Sequence, residues 1–501
     1  MKITPAGDRG ALVELGAVGY DDLHRITRAI RTTDGIAAAV PGHHSILAIT
    51  RSSGIDAESL IRSAIDRAES TPLDLEPSRH RIETSFLERY SPDLALLLAH
   101  LRVERNAFLG RLSELTFRAR FLGFMAGFAY LDGLPPEWEL PRRTTPRARV
   151  PKGSFAIAGE MAGFYPVHSP GGWNILGRSG AIFWDDQRNP PNLVSPGDEI
   201  VIVPTMDEIA DVRPGRIRPR RPRVQAGEVI DAGQLTLLAG APDLERLDHG
   251  LPPGGAFDPV SAADANFATG NPPDATLLEC TLVGPTLRFI EERRCSWYGA
   301  DVTLRVNGRA VDDRRSFVVP VGGTLACGVL REGMRGWLAI EGGLENPAGR
   351  YSLHPERLRT GPLFTSGCSA GNATESSLGR SAAHVNRFEI AALAGPHSAE
   401  PETLQSIARR EWEVSGALDR TGIRFESDLR PQNIPARLPS CGMQFGTVQL
   451  HPDGSLVAMG PDHPVTGGYL QPFTIVSSQR WKLALLRPGD RIRFLIESRS
   501  G

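Results

Sequence analysis

Lysine is almost missing from this 501-residue chain: Lys2, Lys152 and Lys482 are the only three, and arginine supplies nearly all of the 56 basic residues. Chemistry that runs through a desolvated lysine amine, such as Schiff-base formation, has three candidates at most. Paired cysteines are missing as well. Cys280, Cys295, Cys327, Cys368 and Cys441 are scattered, with no Cys-x-x-Cys pair. An odd, dispersed set suits reduced and mostly buried thiols better than a disulfide framework. No stretch approaches the roughly 18–20 apolar residues that span a bilayer. The start, MKITPAGDRGALVEL, has no apolar run behind its lysine, so a cytosolic (cytoplasmic) protein is expected. A formal net charge of −2 gives no electrostatic reason to expect nucleic acid or a membrane as partner. The P-loop, the His-Glu-x-x-His helix and the dinucleotide fingerprint are all absent. Among twelve histidines the one tight pair, His43-His44, sits where a turn meets a strand and reads as structural, so no metal site is expected.

What is present is ample core material, 41% hydrophobic residues, in a chain long enough for about two to four domains. The first part reads as a small α/β unit, residues 1–77. Strand-like Gly10–Leu15 and His44–Thr50 alternate with leucine and isoleucine at helical spacing in Tyr20–Thr32 and Asp56–Ala68. After the polar stretch Pro72–His80 the pattern to Ala119 is helical, clearest in Asp93–Leu101. Beyond Phe121 the texture changes to short Val/Ile/Phe runs punctuated by glycine and proline, the pattern of barrels or sandwiches. The fold class expected is mostly β with a small α/β N-terminal unit.

An internal echo sharpens this. Gly171-Gly172-Trp173 leads to the Pro-Gly-Asp turn of SPGDEIVIV (Ser195–Val203), and Gly467-Gly468-Tyr469 leads to that of RPGDRIRFLI (Arg487–Ile496). Proline presets φ in such a turn and glycine takes the positive φ that follows. Two barrels of related design are expected, one over 78–208 and one within 226–501. Between them Arg213–Arg223 holds six arginines and three prolines. It reads as an anionic-surface patch or as an exposed linker, 209–225, and the near-neutral chain favours the linker.

Candidate chemistry sits on glycine-rich turns, where a β scaffold presents binding groups. Arg142, Arg143 and Arg147 stand between prolines, and a guanidinium held by rigid flanks suits bidentate capture of a carboxylate or phosphate; the plain alternative is a surface loop arginine. His168, before Gly171, Gly172 and Trp173, is a proton-transfer candidate or a turn histidine. A second cluster, Gly250–Asn266, offers Asp258 and Asn266. A third, Gly446–Tyr469, offers Gln449, Asp462, His463, Thr466 and Tyr469.

On these clusters the chain resembles two paired families. GDRGA (Gly7–Ala11), GFMAGFAYLDGLP (Gly123–Pro135), PRRTTPRARVPKGS (Pro141–Ser154), YPVHSPGGW (Tyr165–Trp173) and Pro196-Gly197-Asp198 resemble allophanate hydrolase subunit 1. GAFD (Gly255–Asp258), Ala265-Asn266, Gly270-Asn271, Glu279, AIEGG (Ala339–Gly343), Asp419–Arg424 and the third cluster are similar to subunit 2. These families resemble the carboxyltransferase portion of urea carboxylase, two components of ATP-dependent 5-oxoprolinase, and a sporulation-kinase inhibitor with its antagonist. The resemblance implies tandem cyclophilin-like barrels and a small amide or lactam substrate. It also implies no covalently held cofactor, with ATP or biotin chemistry brought by a partner protein. Under it Arg147, His168, Gln449 and Asp462 are the catalytic candidates. Arg142, Gly171, Gly172, Trp173, Asp258, Asn266, Thr466 and Tyr469 are the substrate-binding candidates. The alternative it carries is a non-catalytic regulatory protein that binds a histidine kinase. The chain departs from the pattern at Leu112, at Ala126 and over Gly343–Pro355, where Arg350 and Ser352 are candidate remnants.

Overall fold

A computed structural model describes residues 1–68, 77–210, 224–347, 351–352, 355–368, 388–397, 401–431, 434–435 and 438–497. The Arg213–Arg223 segment and Arg350 lie outside the described residues. The chain is mostly β. At its start, strands Lys2–Pro5, Gly10–Glu14, Ser45–Thr50 and Ile36–Pro41 form, in that spatial order, an antiparallel sheet. Helices Tyr20–Arg31 and Ala57–Ala68 cover one face, packing Leu23, Ile30 and Ile61 on Ala11, Val13 and Ala48. The other face, Leu12, Val40, Leu47 and Ile49, packs on Leu247, Cys441 and Val465. Both faces are therefore dry, which is why Ser45–Thr50 is buried at every position.

Two seven-stranded closed barrels follow. In the first, Arg79–Ser85 pairs in parallel with Glu199–Thr205; in the second, Glu389–Ala394 pairs in parallel with Arg491–Glu497. Each barrel is thus closed by its own first and last strands. Numbering the strands of each barrel one to seven along the chain, both run one, seven, two, three, five, four, six around the circle. Each also carries a two-stranded ribbon inserted at equivalent points, Arg147–Val150 with Ser169–Gly171 and Cys441–Gly442 with Thr466–Gly467. The echoed Gly-Gly-aromatic turns leave the second strand of these ribbons. The repeat is architectural.

Two stretches differ from the sequence reading. Arg79–Ser85, read as the end of a polar stretch leading into helix, is a barrel strand: Ile82 and Thr84 point inward while Arg79, Arg81 and Glu83 face solvent. One inward aliphatic is too little for a period-two signal. The region after 226 is more than one barrel. Ahead of the second barrel lie a six-stranded and a five-stranded sheet, stacked around Leu287, Phe289, Leu325, Trp297 and Leu338. Cys280, Cys295 and Cys327 are buried in that sandwich core, and Cys441 is buried elsewhere, as expected of inert thiols.

Candidate functional site

A cleft of about 490 Å³ opens between the first barrel and the second half of the chain. One wall is the Phe124–Ala126 loop with Val167; the other includes Leu251, Arg335, Arg420, Asp462 and His463. The loop is held across the junction. Phe124 takes a left-handed backbone conformation, φ 62°, and its N–H donates to Thr466 Oγ1 at 3.1 Å. A Cβ on the preceding Gly123 would fall 2.2 Å from the same oxygen, so only glycine allows this approach. Left-handed geometry at a bulky residue is strained and survives where surrounding contacts fix it.

Beneath the cleft lies a buried charge network. Arg420 Nε and Nη2 donate to Asp462 at 2.7 and 3.1 Å, Nη1 donates to Glu279 at 2.6 Å, and Nη2 also donates to the Gly255 carbonyl at 2.6 Å. Glu279 is fully buried and also accepts from the Phe257 N–H at 2.7 Å and Trp337 Nε1 at 3.1 Å. Burial alone would raise the Glu279 carboxyl; Arg420, then Arg335 and the Phe257 N–H, hold it below its ordinary value instead. Arg420 is likewise held up by Glu279 and Asp462 against the lowering that burial imposes. With four of its five N–H donors committed, Arg420 orients Asp462.

Two further groups stand outside the catalytic and binding set expected from the sequence. Arg335 is buried, and its Nε has no hydrogen-bond partner, lying 3.9 Å from Glu279 Oε1. Burial pulls its guanidinium down to about 10. In the sequence Arg335 is the single charge of RGWLAI (Arg335–Ile340), a strand that the structure buries throughout. His463 is fully buried. Its Nδ1 donates to the Pro464 carbonyl at 2.8 Å, which leaves the lone pair on Nε2, and Nε2 has no partner. Burial lowers this imidazole to about 4, so the ring is neutral near pH 7.

Of the residues expected to bear function, Asp462 lines the cleft and Thr466 bridges the two halves. Gln449 is buried beside Gly467, with Nε2 3.1 Å from Met443 Sδ, and Tyr469 stacks on His451 at 4.1 Å. Asp258 caps helix Pro259–Thr269, accepting from the N–H groups of Val260 and Ser261. Asn266 donates to the Ala275 carbonyl and accepts from Asn271, which in turn binds the Ile340 carbonyl and the Gly342 N–H. That knot accounts for the Ala-Asn, Gly-Asn and AIEGG markers together. On the first barrel, Arg142 lies over the Trp173 ring at 5.5 Å, and exposed His168 accepts the Lys152 N–H at 3.3 Å. Arg147 Nη2 donates to buried Asp93 at 2.8 Å, and Asp93 also accepts the Ile175 N–H at 2.7 Å. The second barrel has an equivalent arrangement: Cys441 pairs opposite Gly467 as Arg147 does opposite Gly171. His397 accepts the Gln471 N–H at 3.1 Å and lies 3.9 Å from Cys441 Sγ. None of Arg142, Arg147, His168, Gly171, Gly172 or Trp173 lines the cleft.

The departures from the family pattern are separated too. Ala126 is buried against Trp184 and Leu251 at the cleft wall, whereas Leu112 lies in the first barrel's core. The Ser352 carbonyl accepts from Arg246 at 2.8 Å. At the His43-His44 turn, His43 Nε2 lies 3.1 Å from Glu160, and burial lowers that imidazole to about 4.

The junction that builds the cleft is also where two family descriptions meet. Carboxyltransferase domain, subdomain C and D, matches residues 1–194, and carboxyltransferase domain, subdomain A and B, matches residues 249–496. The chain belongs to the carboxyltransferase-domain family. Its C/D half is 33% identical over 190 residues to the B-type subunit of 5-oxoprolinase from Escherichia coli O157:H7, covering 37% of this chain and 85% of that protein. Its A/B half is 26% identical over 283 residues to the C-type subunit of 5-oxoprolinase from Haemophilus influenzae, covering 53% of this chain and 90% of that one. The crystal structure of TTHA0988 in space group P212121 matches with a TM-score of 0.84 at 27% identity, over 97% of this chain and 99% of the other. The carboxyltransferase-domain chain thus carries B-like and C-like halves in one polypeptide.

Proposed function

We propose that this chain is the substrate-handling component of a multi-subunit enzyme of the 5-oxoprolinase or carboxyltransferase type, acting on a small amide or lactam. A partner protein supplies the ATP or biotin chemistry. The observation that carries this reading is the cleft that both family halves line, with Asp462 fixed on its wall by Arg420. A carboxylate in that setting accepts a hydrogen bond from an amide N–H. The guanidinium of Arg335 is a donor suited to the carbonyl oxygen, where negative charge grows when an amide is activated. His463 Nε2, neutral and unpartnered, adds a second acceptor at the same wall. The relatives named as 5-oxoprolinase subunits support the substrate class, and their naming as subunits supports the need for a partner.

The test is a thermal-shift titration of the purified chain with 5-oxoproline, urea and related lactams, for the wild type and Asp462→Asn. A ligand bound only by the folded state stabilises it by about 2.7 kcal/mol at a hundredfold excess over Kd. One of these ligands should raise Tm in the wild type and fail to do so in the variant, while the chain alone shows no turnover of 5-oxoproline with ATP. Equal shifts in both proteins, or none in either, would refute the assignment.

A further inference from the structure

A second cavity, about 460 Å³, lies at the junction of the N-terminal sheet with the second half of the chain. It stands apart from the substrate cleft, with His463 in the wall of both. Its charge is unusual. Arg9 and Arg480 both line it, and among the described residues neither has a carboxylate within ion-pair distance. Arg9 Nη2 donates to the Thr50 and Arg51 carbonyls at 2.8 and 2.7 Å, while its Nε is buried without an acceptor. Among the described residues Arg480 donates to neutral oxygens, the Ile475 carbonyl at 3.3 Å and Gln444 Oε1 at 3.4 Å, and its guanidinium lies over the Phe445 ring at 5.7 Å. Asp258 also lines the space, but its carboxylate is committed to the N–H groups of Val260 and Ser261 and to the Ser261 hydroxyl. Asp8, next to Arg9, is bound to the Ser477 N–H and hydroxyl.

Burial pulls Arg480 down to about 10; Asp8 offsets part of this, and repulsion from Arg9, a smaller effect, adds to it. Such an arrangement is stabilised by an anion that both can reach. Much of the remaining wall is apolar, including Leu244, Leu247, Phe445 and Trp481, with Gln444, Ser477 and Ser478 as further polar lining. An apolar body with a few convergent polar groups is the make-up of a small-molecule site, and cavities of this size hold one.

We propose that this cavity binds a small organic carboxylate, its charged end between Arg9 and Arg480 and its apolar body against Phe445 and Trp481, as a site separate from the substrate cleft. Benzoate and its neutral counterpart benzamide are the probes, titrated calorimetrically into the intact protein at low ionic strength. Benzoate should bind at least tenfold more tightly than benzamide. Arg480→Gln should remove that preference, and Val260→Trp, which fills the cavity from a partly exposed wall position, should weaken benzoate at least tenfold with the circular dichroism unchanged. Val260 does not line the cleft, so its effect separates the two sites. Equal affinity for the two probes, absence of benzoate binding, or benzoate binding unaltered by Val260→Trp would overturn the proposal, whether or not Arg480→Gln folds.

Discussion

Replacing Arg420 by Met should expose how much the cleft depends on the charge network beneath it. The substitution keeps most of the side-chain volume and removes four hydrogen bonds, two to Asp462 and one each to Glu279 and the Gly255 carbonyl. Glu279, fully buried, is left with Arg335 at 3.9 Å as its nearest cation. Breaking a buried ion pair from one side costs about 3–5 kcal/mol, and the remaining Arg335 places the expectation at about 3. The suited assay is hydrogen exchange read on peptides covering Leu277–Thr281 and Arg335–Ile340, the strands that carry Glu279 and Arg335. Corrected for intrinsic rates, about 3 kcal/mol is a little over a hundredfold faster exchange. The pH dependence adds a sign. In the wild type the Glu279 carboxyl is held below its ordinary value, so its stabilisation is complete above that value and is lost as pH falls toward the lower, folded one. Without Arg420 burial dominates and the carboxyl moves up, so protonation relieves the variant first. The deficit should therefore shrink between pH 7 and pH 5. A deficit below about 1 kcal/mol, or one that widens on acidification, would refute the claim that a pair to Arg420 keeps Glu279 charged.

Two further perturbations test neighbouring parts. His463, lowered to about 4 from 6.5, stays neutral in the fold while the unfolded chain takes up the proton, so stability is complete near pH 7 and falls as pH drops from 6.5 toward 4. Linkage puts its share at about 2 kcal/mol between pH 7 and pH 5; urea unfolding of His463→Gln should show that much less acid sensitivity, and an unaltered slope would contradict the buried, neutral ring. Arg147→Ala removes the better buried of the two arginines on Asp93. The expected result is about 1–2 kcal/mol lost in denaturation with small-amide binding retained; binding lost at unchanged stability would instead assign Arg147 to the substrate.

Much of this was legible because glycine and charge leave marks that packing alone does not. The Gly-Gly-aromatic and Pro-Gly-Asp echo pointed to two related barrels, and both have the same strand order. Glu279, Arg420 and Asp462, far apart in the chain, each stood in a quoted motif, and they meet in one network. What escaped had a physical reason. The sandwich strands read like barrel strands, since apolar alternation records burial of a face and not which sheet covers it. Arg335 hid in an apolar strand as a single charge. Asp258 and Asn266 were prominent as polar residues on glycine-rich turns, and the same chemistry that binds a ligand also caps a helix, as Asp258 does, or ties a loop, as Asn266 does.

The repeat bears on where function can lie. Equivalent ribbon positions hold Arg147 with Asp93 in one barrel and Cys441 with His397 in the other, chemically unlike pairs at the same structural joint. The ribbon joint thus accepts either an ion pair or a buried thiol beside a histidine. The cleft has no such counterpart within either barrel. It needs two loops from each barrel: between the second and third strands, Phe124–Ala126 in the first and Asp419–Thr421 in the second, and between the fifth and sixth, Val167 in the first and Asp462–Val465 in the second. Because the same two loops of each barrel face each other there, the cleft takes both copies of the repeat, and neither half assembles it alone. Carrying both halves on one chain keeps their relative concentration high at any dilution, and the hydrogen bond from Phe124 to Thr466 joins them at the cleft together with the packing of Ala126 and Trp184 on Leu251.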